Sequence, residues 1–316
     1  VTETLTAADR EVARLYEDYP YPAHGIVSSV VARMARPTLD ALRAQQRFQR
    51  GGRLTILDAG CGTGEQALGI ARSTPDAEVT GLDYSEASLR FARDLAARHG
   101  LAVRFVRGDL SRPLDECGPF DLIVCVGTLH HLADPELGLR HLRAVLAPEG
   151  RLLGMVYGAF GKAALFRARD ALDALAGPGA SREEKLSLLA GARLANNAGP
   201  LEYAKALLHR RRFGPDIDWR EAAGRVLAGR SAAYQADAYT HPREASYRWA
   251  EVSAMLERSG FRWLGWPARS GMPDEPRALF RGAALARIER SDLATKASVY
   301  ERIVCPPHLY FLAEAA

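Results

Sequence analysis

LDAGCGTGE, residues 57–65, ends an apolar run with three glycines at alternate positions and opens an amphipathic stretch. Glycines at 60, 62 and 64 permit a tight turn with backbone angles that other residues resist, and they leave bare backbone for a ligand to approach. The start of the following helix adds free amide N–H groups aimed at the same place. The segment therefore reads as a strand–loop–helix connection built to hold a polar ligand. A dinucleotide fingerprint would space its glycines GxGxxG, whereas residue 65 is Glu and the pattern here is GxGxG, which argues against a pyrophosphate. Asp58, two residues before the first glycine, sets a negative charge beneath the loop and suits a ligand that carries cationic groups.

Working outward, short apolar runs alternate with longer amphipathic ones from Leu54 to Tyr157, the pattern of a parallel sheet wrapped by helices. The runs predict strands over 54–60, 78–83, 103–109, 120–127 and 150–157. Helices are predicted between them over 64–73, 85–99 and 135–147, the last one ended by Pro148 and Gly150. After this core, residues 158–246 carry little strand pattern and read as a helical insertion of several segments. A helix over 246–259, closed by Gly260, leads to FRWLGW (261–266), and PHLYFLAEA (307–315) ends the chain. These two runs are expected to pair as the last strands of the sheet, with a second helical excursion over roughly 276–302 between them.

From the glycine loop to the fourth strand, the motifs resemble those of the class I S-adenosylmethionine-dependent methyltransferases, over about residues 50–157. The charge reading of Asp58 agrees, since that cofactor carries an amino group and a sulfonium. The resemblance implies a doubly wound, mostly parallel seven-stranded α/β sheet with an antiparallel last strand. It also implies S-adenosylmethionine as cofactor and S-adenosylhomocysteine as product. It places the loop residues Asp58, Gly60, Cys61, Gly62 and Gly64 against the cofactor. Asp83 in GLDYS falls where the family binds the ribose hydroxyls, a carboxylate able to accept two hydrogen bonds from a vicinal diol, with Tyr84 beside it. Asp109 and Leu110 in GDL match the adenine-binding position, and Val126 lies in FDLIVCVGTLHHLADP (120–135), whose strand end faces the methyl donor.

Two clues lie outside the glycine loop. YEDYPYPAHG (16–25) resembles an N-terminal element of some bacterial members in which tyrosines close over the cofactor, making Tyr16 and Tyr21 candidate ligands of the sulfonium or its carboxylate. His131 and His130, at the rim of the expected cleft, are candidate general bases because a near-neutral imidazole can take a proton from an attacking group. Tyr21 joins them as a candidate catalytic residue. HRRRF (209–213) is a solvated helix face or an anion grip, and Trp219, Tyr234, Tyr239 and Trp249 are packing residues or pocket lining.

Composition bounds the rest. With 47% hydrophobic and 25% charged residues, the chain is an ordinary globular protein long enough for one large or two ordinary domains. No apolar run reaches the roughly 20 residues of a membrane span, no targeting segment is visible, and a cytoplasmic location is the expectation. The cysteines Cys61, Cys117, Cys125 and Cys305 show no CxxC pair and read as reduced thiols, with no metal site suggested. The net charge of +4 is concentrated in the C-terminal half without a dense basic stripe, so no nucleic-acid partner is expected. The organisation expected is an N-terminal helical lid (1–50), a cofactor-binding core (51–157), a helical insertion forming a substrate cap (158–246) and a C-terminal completion of the sheet (247–316). The expected reaction is methyl transfer to an oxygen, nitrogen or carbon of a small molecule such as a secondary metabolite, because inserted helices can bury most of a small ligand. The alternative is a protein or peptide methyltransferase acting on an acidic segment, held by the basic C-terminal half.

Overall fold

The computed structural model describes residues 6–22, 30–45, 52–114, 117–191 and 231–316. Two helices, α1 (Ala7–Asp18) and α2 (Val30–Arg43), precede a core of strands β1 (Leu54–Ala59), β2 (Ala77–Asp83), β3 (Arg104–Arg107), β4 (Phe120–Val126) and β5 (Leu146–Gly158). Helices α3 (Glu65–Ser73), α4 (Glu86–His99) and α5 (Pro135–Ala144) connect them. There follow α6 (Ala159–Ala176), α7 (Arg182–Gly191), α8 (Ala232–Thr240), β6 (Ser246–Tyr247), α9 (Trp249–Arg258), β7 (Phe261–Gly265), α10 (Gly282–Glu289), α11 (Leu293–Val304) and β8 (His308–Ala315).

The strands form one sheet in the order β3-β2-β1-β4-β5-β8-β7, with β6 beside the end of β5. The first five are mutually parallel, and β8 runs antiparallel between β5 and β7. This is the doubly wound, mostly parallel sheet with an antiparallel last strand that the motifs implied, and FRWLG and HLYFLAEA pair as expected.

Strand side chains alternate between faces, so neighbouring residues feed two separate cores. Ile56, Leu122, Val124 and Leu153 pack with Met34, Leu39 and Leu42 of α2 and Ile70 of α3. Leu57, Ile123, Cys125 and Leu152 pack on the opposite side with Leu142 of α5, Trp249 and Met255 of α9, and Tyr300 of α11. Burial on both faces is why β4 reads as an unbroken apolar run. Local signals set the helix starts: Ser85 accepts from the Ser88 amide and Asp134 from the Leu137 amide as N-caps, with Pro135 in the first turn.

Some boundaries differ from the periodicity. The helix expected over 135–147 stops at Ala144, because Leu146 and Ala147 already belong to β5, which begins before Pro148 and passes an irregularity between its pairings with Phe120 and Leu122. The helix expected over 246–259 starts only at Trp249, since Ser246 and Tyr247 pair with Tyr157 and Gly158. Within the insertion, α6, α7 and α8 share a small core of Leu172, Leu189, Ala238 and Tyr239, so Tyr239 is a packing residue. Trp249 is also packing, stacked on Trp263 at 5.0 Å. Tyr234 is half exposed. HRRRF and Trp219 lie outside the described residues. None of the four cysteines is disulfide-bonded. Among the described residues, no helix is long and apolar enough to cross a membrane.

Candidate active site

The loop between β1 and α3 is held by its neighbours at every residue. Gly60 and Cys61 donate their amide hydrogens to the Leu82 carbonyl at 2.7 and 2.9 Å, which ties the loop to β2. Gly60 has φ +78° and Gly62 φ +51°, in the left-handed region that favours glycine. A Cβ on Gly60 would stand 2.1 Å from Thr128 Oγ1, and one on Gly62 would stand 2.3 Å from the Tyr21 carbonyl oxygen. The N-terminal segment therefore lies directly on the loop. Thr63 reinforces this, its amide donating to the Tyr21 carbonyl at 3.2 Å and its hydroxyl to the Pro22 carbonyl at 3.1 Å.

Above the loop, at the C-terminal ends of the parallel strands, is a cavity of about 400 Å³, where open α/β sheets bind ligands. Gly60, Cys61 and Gly62 line one side, Asp83 and Tyr84 another, and Asp109 and Leu110 a third. Val126 and His131 line it from the end of β4, and Tyr16 and Tyr21 from the N-terminal segment. Three residues expected at the ligand are elsewhere. Gly64 packs between Ala92 and Phe105, where a Cβ would come within 2.7 Å of Ala92, so it serves helix–strand packing. Asp58 is enclosed beneath the loop, 1% exposed. His130 is fully buried behind the cavity wall, stacked on Tyr157 at 4.0 Å.

The electrostatics favour a cation. Neither Asp58 oxygen has a hydrogen bond of ordinary geometry, the Ala67 amide acting on it only weakly. Burial, and then the nearby charge of Asp83, push the Asp58 carboxyl up to about 7, with only the Ala67 amide opposing. Burial raises Asp83 as well, against the Ser85, Gly62 and Tyr84 amides that hold it down. Asp83 Oδ2 accepts from Gly62 at 2.8 Å and Oδ1 from Ser85 at 2.9 Å, which leaves each oxygen a further lone pair for a ligand hydroxyl. Gly127 lines the same cavity with φ +85°, and nothing lies within 4 Å of where its Cβ would stand. Two buried carboxylates, bare backbone and a glycine cradle are the donor set that a ribonucleoside with cationic groups requires. S-adenosylmethionine fits this cleft.

Beyond that set lies a corner of buried ionisable groups. Helix α6 contributes Arg169, which pairs with Glu244 and donates to the carbonyls of Ala238 at 2.5 Å and Asp237 at 3.3 Å. His131 Nδ1 lies 3.2 Å from the Arg243 carbonyl, and because a carbonyl only accepts, that nitrogen carries the proton and Nε2 keeps a lone pair. His241 is the reverse: its Nδ1 accepts the Arg243 amide hydrogen at 3.1 Å, so its Nε2 is the protonated one. His130–His131–Glu244 and His131–Asp237–His241 each bring ligand-type atoms within 4.8 Å of one another. The second group lacks a free lone pair on His241 Nε2, and in the first Glu244 is already committed to Arg169, so the donor sets do not suit a metal ion. Asp237, Tyr157, His308 and Tyr310 also line the cavity. Motif spacing missed them because Tyr157 lies near the end of β5 beyond the last motif, Asp237 comes from the insertion, and His308 and Tyr310 come from β8.

Residues 56–150 match a family model described as a methyltransferase domain. An uncharacterized protein of Synechococcus sp. is 31% identical over 264 residues, covering 82% of this chain and 60% of that protein. The demethylmenaquinone methyltransferase of Thermus thermophilus is 40% identical over 112 residues, 34% of this chain and 50% of that enzyme. The chain thus spans 60% or less of the length of these curated relatives. Among solved structures, PKMT2 from Rickettsia typhi superposes with a TM-score of 0.57 at 15% identity, over 83% of this chain and 48% of that one, a likeness of fold.

Proposed function

We propose that the chain is a class I S-adenosylmethionine-dependent methyltransferase that methylates an oxygen, nitrogen or carbon nucleophile of a small molecule, a reading supported by the methyltransferase-domain match over residues 56–150 and the likeness to a demethylmenaquinone methyltransferase. The observation that carries the reading is the roof over the cavity. Tyr16 of α1 donates to Asp237 Oδ1 of α8 at 2.8 Å, and Arg243 pairs with Asp9 at 2.6 Å, so the N-terminal helix and the insertion meet above the ligand position. A roof joined in this way favours an enclosed acceptor over an extended peptide.

When bound, S-adenosylmethionine supplies a methyl group already activated by its sulfonium. Asp83 would hold the ribose hydroxyls, Asp109 and Leu110 the adenine edge, and the Gly60–Gly62 backbone the part nearest the loop, with Asp58 offsetting positive charge from below. The protein's remaining work is orientation and exclusion of water, which falls to Tyr16, Tyr21 and Tyr157 around the cavity. His131 is the base assigned to a protonated acceptor, because it lines the cavity with Nε2 free of the proton and burial lowers its pKa. His130 has no access to the cavity, and Tyr21 is held by burial well above the usual phenol range, so neither is assigned that role. In this reading the described residues of 1–50 and 158–246 act as lid and substrate cap, and 247–316 completes the sheet.

The test uses S-adenosylmethionine labelled on its methyl group, incubated with the protein and an extract of the source cells, and separates the label by molecular size. Label in small molecules supports the proposal and sends the product to mass spectrometry. Label on protein overturns the substrate class and leaves the methyl transfer standing.

A further inference from the structure

We propose that Asp237, held by Tyr16, is a positioning residue that provides the counter-charge for His131 when His131 takes a proton from the methyl acceptor. The inference rests on the methyl-transfer reading of the cleft. It narrows the acceptor to a group that arrives with a proton on its nucleophilic atom, a hydroxyl or an ammonium. In the step, the acceptor's O–H or N–H bond breaks and its proton goes to His131 Nε2. The acceptor's electron pair forms the new bond to the methyl carbon. The carbon–sulfur bond breaks with its pair going to sulfur, which leaves as a neutral thioether.

The argument starts from which buried charges are already balanced. Glu244 Oε1 lies 3.9 Å from His131 Nε2, but its carboxylate is paired with Arg169, itself anchored by two carbonyls. Asp237 is as deeply buried, at 4% exposure, and among the described residues it has no ion pair, only the Tyr16 hydroxyl on Oδ1. Asp237 feels the Lys162 ammonium without forming an ion pair with it, and a buried carboxylate that is not directly paired gains from a cation formed beside it. Asp237 and His131 line the same cavity, with atoms of the two side chains within 4.8 Å. The Arg243 carbonyl fixes the tautomer, so the lone pair on His131 is the one a proton would take. A base oriented by one hydrogen bond with a carboxylate set against the cation it becomes follows the logic of catalytic triads.

The groups around His131 set the sign of the effect. Its own turn brings His130, with ring centroids 4.2 Å apart, and the segment after α8 brings His241, stacked at 3.9 Å. β5 brings Tyr157 and α1 brings Tyr16, both edge-on. α6 brings Arg169 and also Lys162, whose ammonium sits over the Tyr157 ring at 3.5 Å. Burial opposes a charge on His131 most strongly; Asp237 and then the Arg243 carbonyl favour it, ahead of the smaller opposition from Arg169 and Lys162.

The measurement is an NMR titration of the imidazole nitrogens of His131 in the full chain, in native protein and in Asp237→Asn, Asp237→Glu and Glu244→Gln. Asp237→Asn is expected to lower the His131 midpoint by about one pH unit, a tenfold loss of proton affinity, with Asp237→Glu restoring most of it and Glu244→Gln moving it less. Thermal midpoints of the variants check that the fold persists. An unchanged midpoint in a folded Asp237→Asn protein, or a native His131 that stays neutral down to about pH 5, where an unperturbed imidazole is charged, overturns the proposal. Calorimetric titration with S-adenosylmethionine separates the readings. If native protein fails to bind it, the methyltransferase assignment falls. If Asp237→Asn loses about tenfold in its affinity while His131 titrates as before, Asp237 faces the cofactor's charge and the proposal is overturned.

Discussion

Gly62 donates its amide hydrogen to Asp83 Oδ2 at 2.8 Å, so the carboxylate at the end of β2 both shapes the glycine loop and faces the cavity. Asp83→Ala is therefore expected to weaken S-adenosylmethionine binding by at least about tenfold, roughly 1.4 kcal/mol, measured by calorimetry. An affinity within about twofold of native, well inside that step, would remove Asp83 from the site.

Gly62→Ala tests whether the N-terminal segment is seated on the loop. The new Cβ would lie 2.3 Å from the Tyr21 carbonyl, at a φ that Ala resists. Displacement of the segment and loss of the Thr63–Tyr21 hydrogen bond should cost about 1–3 kcal/mol in a urea titration and expose the chain near Tyr21 to limited proteolysis. An unchanged midpoint and digestion pattern would mean that the lid does not rest there.

Asp58 makes the stability of the ligand-free protein fall as pH rises. Burial lifts its folded pKa to about 7, above the ordinary aspartate value of 3.8, so between those values the folded state holds a proton that the unfolded state has released. The loss runs from about pH 4 to pH 7, is complete above the folded pKa, and is at most about 4 kcal/mol at 1.36 kcal/mol per unit. Asp58→Asn should flatten this slope and stabilise the ligand-free protein at pH 8 by about 1–2 kcal/mol, less than the full amount because the amide still lacks partners. In native protein, binding of the cationic cofactor near pH 7 should release a proton, seen as a buffer-dependent heat in calorimetry. A slope equal in native and variant would exclude Asp58 as its source.

Gly154 of β5 faces Phe311 of β8, and a Cβ there would stand 2.1 Å from the ring. Gly154→Val should overpack this contact and cost about 1–3 kcal/mol by denaturant titration. Pairing it with Phe311→Leu should recover part of the loss, since the two changes share one space. No recovery would mean that the strain lies elsewhere.

Tyr16→Phe removes the hydrogen bond between α1 and α8 and should cost about 1 kcal/mol. The same variant should increase amide hydrogen exchange in α1 and α8 while leaving β1 and β4 unchanged. Exchange that rises evenly through the sheet would count against a local roof contact.

How much of this was legible in the sequence follows from which residues are neighbours along the chain. LDAGCGTGE determined the turn, because three glycines between a strand and a helix allow few backbone paths. The apolar runs determined the parallel core and the identity of the final two strands, since burial on both faces leaves a pattern that local composition carries. Asp83 and Asp109 were readable because Asp83 ends β2 and Asp109 follows the end of β3 by two residues, each in a short motif of its own. The start of α9 at Trp249 was not readable, because the pairing of Ser246 and Tyr247 with β5 is a contact across nearly 90 positions. The same holds for the chemistry of the corner. That Asp58 is sealed and uncompensated, that His130 is shut off while His131 faces the cavity, and that Asp237 and Tyr16 meet 221 positions apart depend on packing between segments whose order in the chain carries no trace of their distance. Sequence alone determined the glycine turn at the C-terminal edge of the parallel strands, through local backbone and hydrophobic period. Only the tertiary structure decided which buried charges stand beside it, because burial and charge balance are properties of the assembled neighbours.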